Sequence, residues 1–236
     1  MTQILCHIPH ASQNVPAWAR EDILLSDEEL ADLLDFMTDL DVDKLWSFVP
    51  EEDRITFDTS RLVVDVERFS DDAAEPMAAL GMGMYYTRTP GGREFRRRIR
   101  ASYDRCLALY RAHHAVLENR VRRALERSGP CLLLDCHSFH DAMTYTPYPP
   151  SSFPDICIGT NGTPPPIAEK IKCVFESHGY RVKFNQPFSG ALAPTRYASD
   201  PRLTPVMIEL NRRIYENDFE KAQSALKEVY QTLTED

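Results

Sequence analysis

The 236-residue chain is 43% hydrophobic, enough to bury a sizeable core within one α/β domain, and its 27 basic and 36 acidic side chains give a net charge of −9. That balance excludes an average surface attractive to nucleic acid or anionic lipid, so an anionic substrate has to be drawn in by local arginines. No stretch approaches the roughly 18–20 apolar residues of a membrane helix, and the apolar run before Pro9 is too short for a signal peptide, so a soluble, cytoplasmic protein is expected.

Short β-rich runs alternate with helical patterns, which predicts an α/β fold with a mixed, mostly parallel central sheet flanked by helices. In chain order, strands are expected at Ile4–Ile8, Arg54–Phe57, Leu62–Val66, Cys131–Asp135, Asp155–Ile158, Arg181–Phe184 and Pro205–Glu209. Several are near-continuous apolar runs, as strands buried on both faces are. Ser26 with Glu29 three residues later spells a capping box for a helix to about Met37, with Leu30, Leu33 and Leu34 on one stripe. A second helical stretch follows Asp41. From Arg93 to Arg127, the spacing of Ile99, Tyr103, Leu107, Tyr110, His114, Leu117, Val121 and Leu125 predicts one long amphipathic helix, stopped by Gly129-Pro130. Further helices are expected over Pro166–Ser177, closed by Gly179, and over Phe219–Leu233. Segments 70–92 and 185–204 are long and particular, as binding or lid loops are. The whole reads as one domain over residues 1–236.

The cysteines at 6, 106, 131, 136, 157 and 173 form no C-x-x-C pair and read as reduced thiols. Cys6 and Cys136 adjoin histidines, but strand alternation turns each cysteine to the face opposite its neighbour.

Chemistry concentrates at strand ends. Leu132-Leu133-Leu134-Asp135-Cys136-His137-Ser138 runs from an apolar strand straight into acid, imidazole and hydroxyl groups, where open α/β sheets bind ligands. Asp135 and His137 share a face, so the carboxylate can orient the ring while its other nitrogen reaches a metal. Ile8-Pro9-His10 repeats the arrangement: Pro9 stops the ladder and presents His10 in a loop, while His7 reads as a core histidine. In Asp39-Leu40-Asp41-Val42-Asp43 the acids are either helix caps or a carboxylate completing a two-histidine, one-carboxylate zinc site, and spacing leaves Asp39 and Asp43 both open. Glu209 ends an apolar strand, where an ionised carboxylate is costly unless paired, with Arg212 or Arg213, or working as a general base. Arg61 and Arg68 bracket the run Leu62–Val66, and Arg196 lies in the second long loop; the planar fork of arginine suits a substrate carboxylate. No G-x-S-x-G elbow is present, which argues against a serine nucleophile.

Taken in order, these segments resemble the N-formylglutamate amidohydrolase family, itself similar to the zinc carboxypeptidase and aspartoacylase group. The resemblance rests on Ile8-Pro9-His10-Ala11, the Asp39 segment, Ser60–Arg68, Asp135-Cys136-His137-Ser138, Ile158-Gly159-Thr160, the Asn185–Gly190 loop and Ile208-Glu209-Leu210. It implies a phosphorylase/hydrolase-like, zinc carboxypeptidase-like fold. It also implies one zinc ion (Zn2+) held by His10, Asp39 and His137, with Glu209 activating water. Arg68, assisted by Arg61 and Arg196, would hold the carboxylate of a small anionic N-acyl amino acid or polarise its scissile carbonyl. Hydrolysis of an N-formyl or N-acyl amide follows as the expected reaction, with a carboxypeptidase-like or deacylase activity and non-catalytic binding of an anionic metabolite as its rivals. Three features depart from the family pattern: Glu67 replaces the usual asparagine before Arg68, Ala11-Ser12 follows His10 where glycine is common, and Asp41 stands where some members carry histidine. A carboxylate beside the anion-binding arginine weakens attraction for an acidic substrate.

Overall fold

The structure, a computed structural model, describes residues 2–143 and 146–235. Its elements are β1 (Gln3–Ile8), α1 (Ala17–Arg20), α2 (Asp27–Met37), α3 (Val42–Leu45), β2 (Arg54–Thr56), α4 (Arg100–Ser128), β3 (Cys131–Phe139), β4 (Ile156–Gly159), α5 (Pro166–Ser177), β5 (Val182–Phe184), β6 (Leu203–Asn211), α6 (Arg212–Asn217) and α7 (Phe219–Thr234). Two compact units share them. One comprises the chain up to Ile8, Asp41–Ile55 and everything from Leu117; the other comprises Pro9–Leu40 and Thr56–Val116.

The first unit holds a six-stranded sheet in the order β2-β1-β3-β6-β4-β5. β1 with β3, β3 with β6 and β4 with β5 are parallel, while β4 runs antiparallel to β6. Every residue of β3 is buried, as its apolar run requires of a central strand. Alternation sends Cys131 and Leu133 to one face, where they pack with Leu5, Leu203 and the α4 residues Leu117, Val121 and Leu125. Farther along the same face, the side chains of β3 become Asp135 and His137. The core-forming half of the strand thus leads directly into its chemical half. Helices α3, α5 and α6 pack on the strands and on α7.

The second unit joins α1, α2 and the first part of α4 through long loops and turns. α2 begins with the capping box read from the sequence: Ser26 Oγ accepts from Glu29 N at 3.2 Å, and Glu29 Oε2 accepts from Ser26 N at 2.9 Å. Such a cap contributes about 1 kcal/mol.

Two expectations need correction. Leu62–Val66 is not a strand but a tight turn, with Val63 N and Val64 N both donating to Ser60 O. Leu62, Val63, Val64 and Val66 are apolar because they are fully buried, and burial without pairing leaves the same run in the sequence. The long helix starts at Arg100 rather than near Arg93, because Arg96 is pulled out of it. Its guanidinium is completely buried, donating to Val63 O at 2.7 Å and stacking 3.8 Å from the Tyr85 ring centroid, while its backbone bridges Ile23. Those tertiary contacts hold the segment before Ile99 out of the helix expected from Arg93. Among the described residues no helix is long and apolar enough to cross a membrane.

Candidate functional site

In the second unit, chain order alone delivers His10 two residues beyond β1, after Pro9 has ended the strand. Asp39 follows the last residue of α2 by two, and its backbone N–H donates to His10 O at 2.9 Å, tying the end of that helix to the turn. Both side chains are buried. His10 Nε2 lies 2.8 Å from Asp65 Oδ1, and His10 Nδ1 lies 3.8 Å from Asp39 Oδ2. Asp65 is ionised, so the first contact requires the proton on Nε2 and leaves the lone pair on Nδ1. The Nδ1–carboxylate separation is a little wider than the ~3.3 Å edge of a tetrahedral shell with ~2.0–2.1 Å arms. It is too wide for a hydrogen bond.

Asp65 has no exposed surface, and donors converge on both of its oxygens. Oδ1 accepts from His10 and from Glu67 N at 3.0 Å; Oδ2 accepts from Arg61 at 2.9 Å and Tyr86 Oη at 2.8 Å, with Arg68 Nε at 3.7 Å. Burial pushes its pKa up, yet Arg61 and His10 outweigh that and hold it well below the usual carboxylate range. The His10 pKa is lowered by burial and then by Arg61, which keeps the ring neutral and fit to ligate. Arg61 also stands 3.9 Å from Asp39, and two of the three arginines expected at the substrate, Arg61 and Arg68, gather beside Asp65.

In the first unit, Asp135 Oδ1 meets His7 Nδ1 at 3.0 Å and His137 Nε2 at 3.1 Å, while its Oδ2 accepts from Leu192 N at 3.0 Å. Against the upward push of burial, His137 and His7 keep this carboxyl lowered. His137 therefore shows the same preparation as His10, with Nε2 on a buried carboxylate and Nδ1 as the acceptor nitrogen. His7 is the core histidine expected of it. Glu209 is buried and is the Cα partner of His137 across β3 and β6. Arg212 bonds Glu216, and Arg213 bonds Asp141 and Asp155.

Asp43 sits on α3, whereas Asp39 precedes it, so the two acids do not share a helix face. Arg196 is 68% exposed and pairs with Glu118 at 3.5 Å. The thiols of Cys6 and Cys136 are buried and reduced, and burial pushes Cys131 and Cys157 up to about 12, which leaves them poor nucleophiles.

Asp65 and Tyr86 escaped the sequence reading. The available signal was the placement of Asp65 four residues after Arg61 and three before Arg68, a spacing that means little on a strand and closes a cluster in a turn. The loop after β5 was legible as a binding or lid loop and as part of the family resemblance, but not in its internal geometry. Its Asn185, at φ 53, accepts from Thr160 N at 2.9 Å, and Gly190 O passes so near Gly159 that a Cβ there would lie 2.2 Å from it.

Residues 2–216 match the family model for N-formylglutamate amidohydrolase. Among solved structures, the chain resembles an N-formylglutamate amidohydrolase from Ralstonia eutropha JMP134, with a TM-score of 0.83 and 21% identity over 99% of this chain and 93% of that one. It also resembles a gene product from Agrobacterium tumefaciens, with a TM-score of 0.65 and 19% identity over 99% and 92% of the respective chains. No curated protein matches.

Proposed function

The chain belongs to the N-formylglutamate amidohydrolase family, and from that premise we propose that it hydrolyses the amide of an N-formyl or N-acyl amino acid with a divalent ion, zinc in our reading, held by His10, Asp39 and His137. The observation that carries the proposal is the matched preparation of the two histidines. Each presents Nε2 to a buried carboxylate, Asp65 or Asp135, a pairing that favours the tautomer with its lone pair on Nδ1. With the Asp39 carboxylate they make the two-histidine, one-carboxylate set of hydrolytic zinc enzymes.

An ion bound there would supply polarisation of the scissile carbonyl and acidification of water. The protein's own groups account for the rest. Arg68 holds the substrate carboxylate or its carbonyl oxygen, with Arg61 beside it; Arg196 is exposed and farther from this role. Glu209 takes the proton from the water as its oxygen attacks the carbonyl carbon, and returns it to the amine nitrogen as the C–N bond breaks. The products are a carboxylate, formate for a formyl substrate, and the free amino acid.

The substrate is tested with N-formyl and N-acetyl amino acids, acidic and neutral, beside short peptides. Hydrolysis confined to peptides would contradict the proposal, and tight binding without turnover, even with zinc supplied, would make the protein a binder.

A further inference from the structure

We infer that Asp65 is a positioning residue that serves two parts of the site at once, fixing the tautomer of His10 through Oδ1 and the place of Arg61 through Oδ2. The inference rests on the proposed function, because it gives His10 and Arg61 their roles. A carboxylate without exposed surface is costly unless its lone pairs are filled, and those of Asp65 are filled in a divided way. Oδ1 receives His10 Nε2 at 2.8 Å and Glu67 N at 3.0 Å; Oδ2 receives Arg61 at 2.9 Å and Tyr86 Oη at 2.8 Å. One rigid group thus meets the metal-binding histidine on one side and the substrate arginine on the other.

The turn around Ser60 makes this possible. Ser60 O accepts from Val63 N and Val64 N, and Asp65 N donates to Met84 O at 2.9 Å, so the backbone that carries the carboxylate is itself fixed. A structural role would be served by any arrangement that fills the carboxylate. A positioning role requires that His10 carry its proton on Nε2.

Asp65→Asn keeps the shape and replaces one acceptor by a donor. Facing His10, the amide N–H₂ forces the proton onto Nδ1 and removes the lone pair needed for an ion; facing Oδ2's partners, it opposes Arg61. Tyr86→Phe removes one bond to Oδ2 and leaves Oδ1 untouched.

The test compares zinc affinity, by competition with a chromophoric chelator, in the full-length wild type, Asp65→Asn and Tyr86→Phe. It adds the ¹⁵N shifts of the His10 imidazole in metal-free wild type, assigned by their loss in His10→Asn. The inference predicts a fall in zinc affinity of roughly 10–100-fold for Asp65→Asn, less than about threefold for Tyr86→Phe, a raised KM for Asp65→Asn, and an Nε2-protonated ring in the wild type. Zinc affinity within about twofold of wild type in Asp65→Asn, or an Nδ1-protonated His10, would overturn it. Should Asp65→Asn not fold, the wild-type tautomer decides alone. A wild type that takes up no zinc counts against the metal reading instead, and the tautomer still decides the role of Asp65.

Discussion

His137 of β3 and Glu209 of β6 are opposite one another in a parallel pair, so both side chains leave the same face of the sheet. The arrangement sets the proposed proton carrier beside the proposed metal ligand on two central strands. Glu209→Gln preserves shape and removes the basic oxygen. We expect kcat to fall by roughly 10²–10⁴-fold with zinc content unchanged. Steady-state kinetics and metal analysis on one preparation check this, and undiminished turnover would remove Glu209 from the mechanism.

Arg68 and Arg61 are not equivalent. Arg61 is the more deeply set, bonded to Asp65 and 3.9 Å from Asp39, whereas Arg68 keeps 24% of its side chain exposed and only approaches Asp65. Arg68→Lys should therefore raise KM for an N-formyl amino acid by about 10–100-fold, the equivalent of a lost charge-assisted bond, with little loss of stability. Arg61→Lys should lower the melting temperature as well as impair binding. The same thermal shift in both variants would contradict this division.

Gly159 ends β4 beneath the loop that reaches Asp135 through Leu192. A Cβ at 159 would lie 2.2 Å from Gly190 O and 2.4 Å from Met207 Cε, so the loop backbone has to move. Gly159→Ala should cost about 1–3 kcal/mol, read as a lower urea midpoint. It should also lower kcat, because Leu192 N loses its hold on the carboxylate that orients His137. A variant as stable and active as wild type would show that the loop has room to spare.

Away from the site, Asp155 accepts from Arg181 N at 2.8 Å and from Arg213 at 2.5 Å. Burial pushes its pKa up, but these donors outweigh it and hold the folded value lowered. A depressed folded pKa contributes stability that is present above the unfolded value, ~3.9, and lost as pH falls through the folded value. Asp155→Asn should therefore cost about 1–2 kcal/mol at pH 7, with the gap to wild type closing as pH drops below about 4. Urea denaturation across pH checks it; a gap that widens in acid would reverse the sign.

Much of the architecture was legible because it depends on local pattern. Ser26 and Glu29 named the start of α2, Gly129-Pro130 the end of α4, and the apolar run before Asp135 the central strand. Where tertiary contacts overrode the pattern, the sequence misled: Leu62–Val66 is apolar through burial in a turn, and Arg96 leaves the helical stripe to fill a cation site under Tyr85. Within the site, His10 and His137 could be singled out as candidate ligands because each stands at the end of an element, whereas spacing left Asp39 and Asp43 both open and only the family resemblance preferred Asp39. Asp65 could not be singled out, because its importance comes from partners in four different places along the chain, His10, Arg61, Glu67 and Tyr86, that only folding brings to one carboxylate.

The most direct test of the central claim measures zinc per chain and hydrolysis of N-formyl-glutamate on the same samples, as purified, after chelation and after reloading. The account predicts about one ion per chain, activity lost with the ion and restored with it, and both lost in His10→Asn, Asp39→Asn and His137→Asn. Full hydrolysis by the metal-free chain, or undiminished zinc in all three variants, would contradict it.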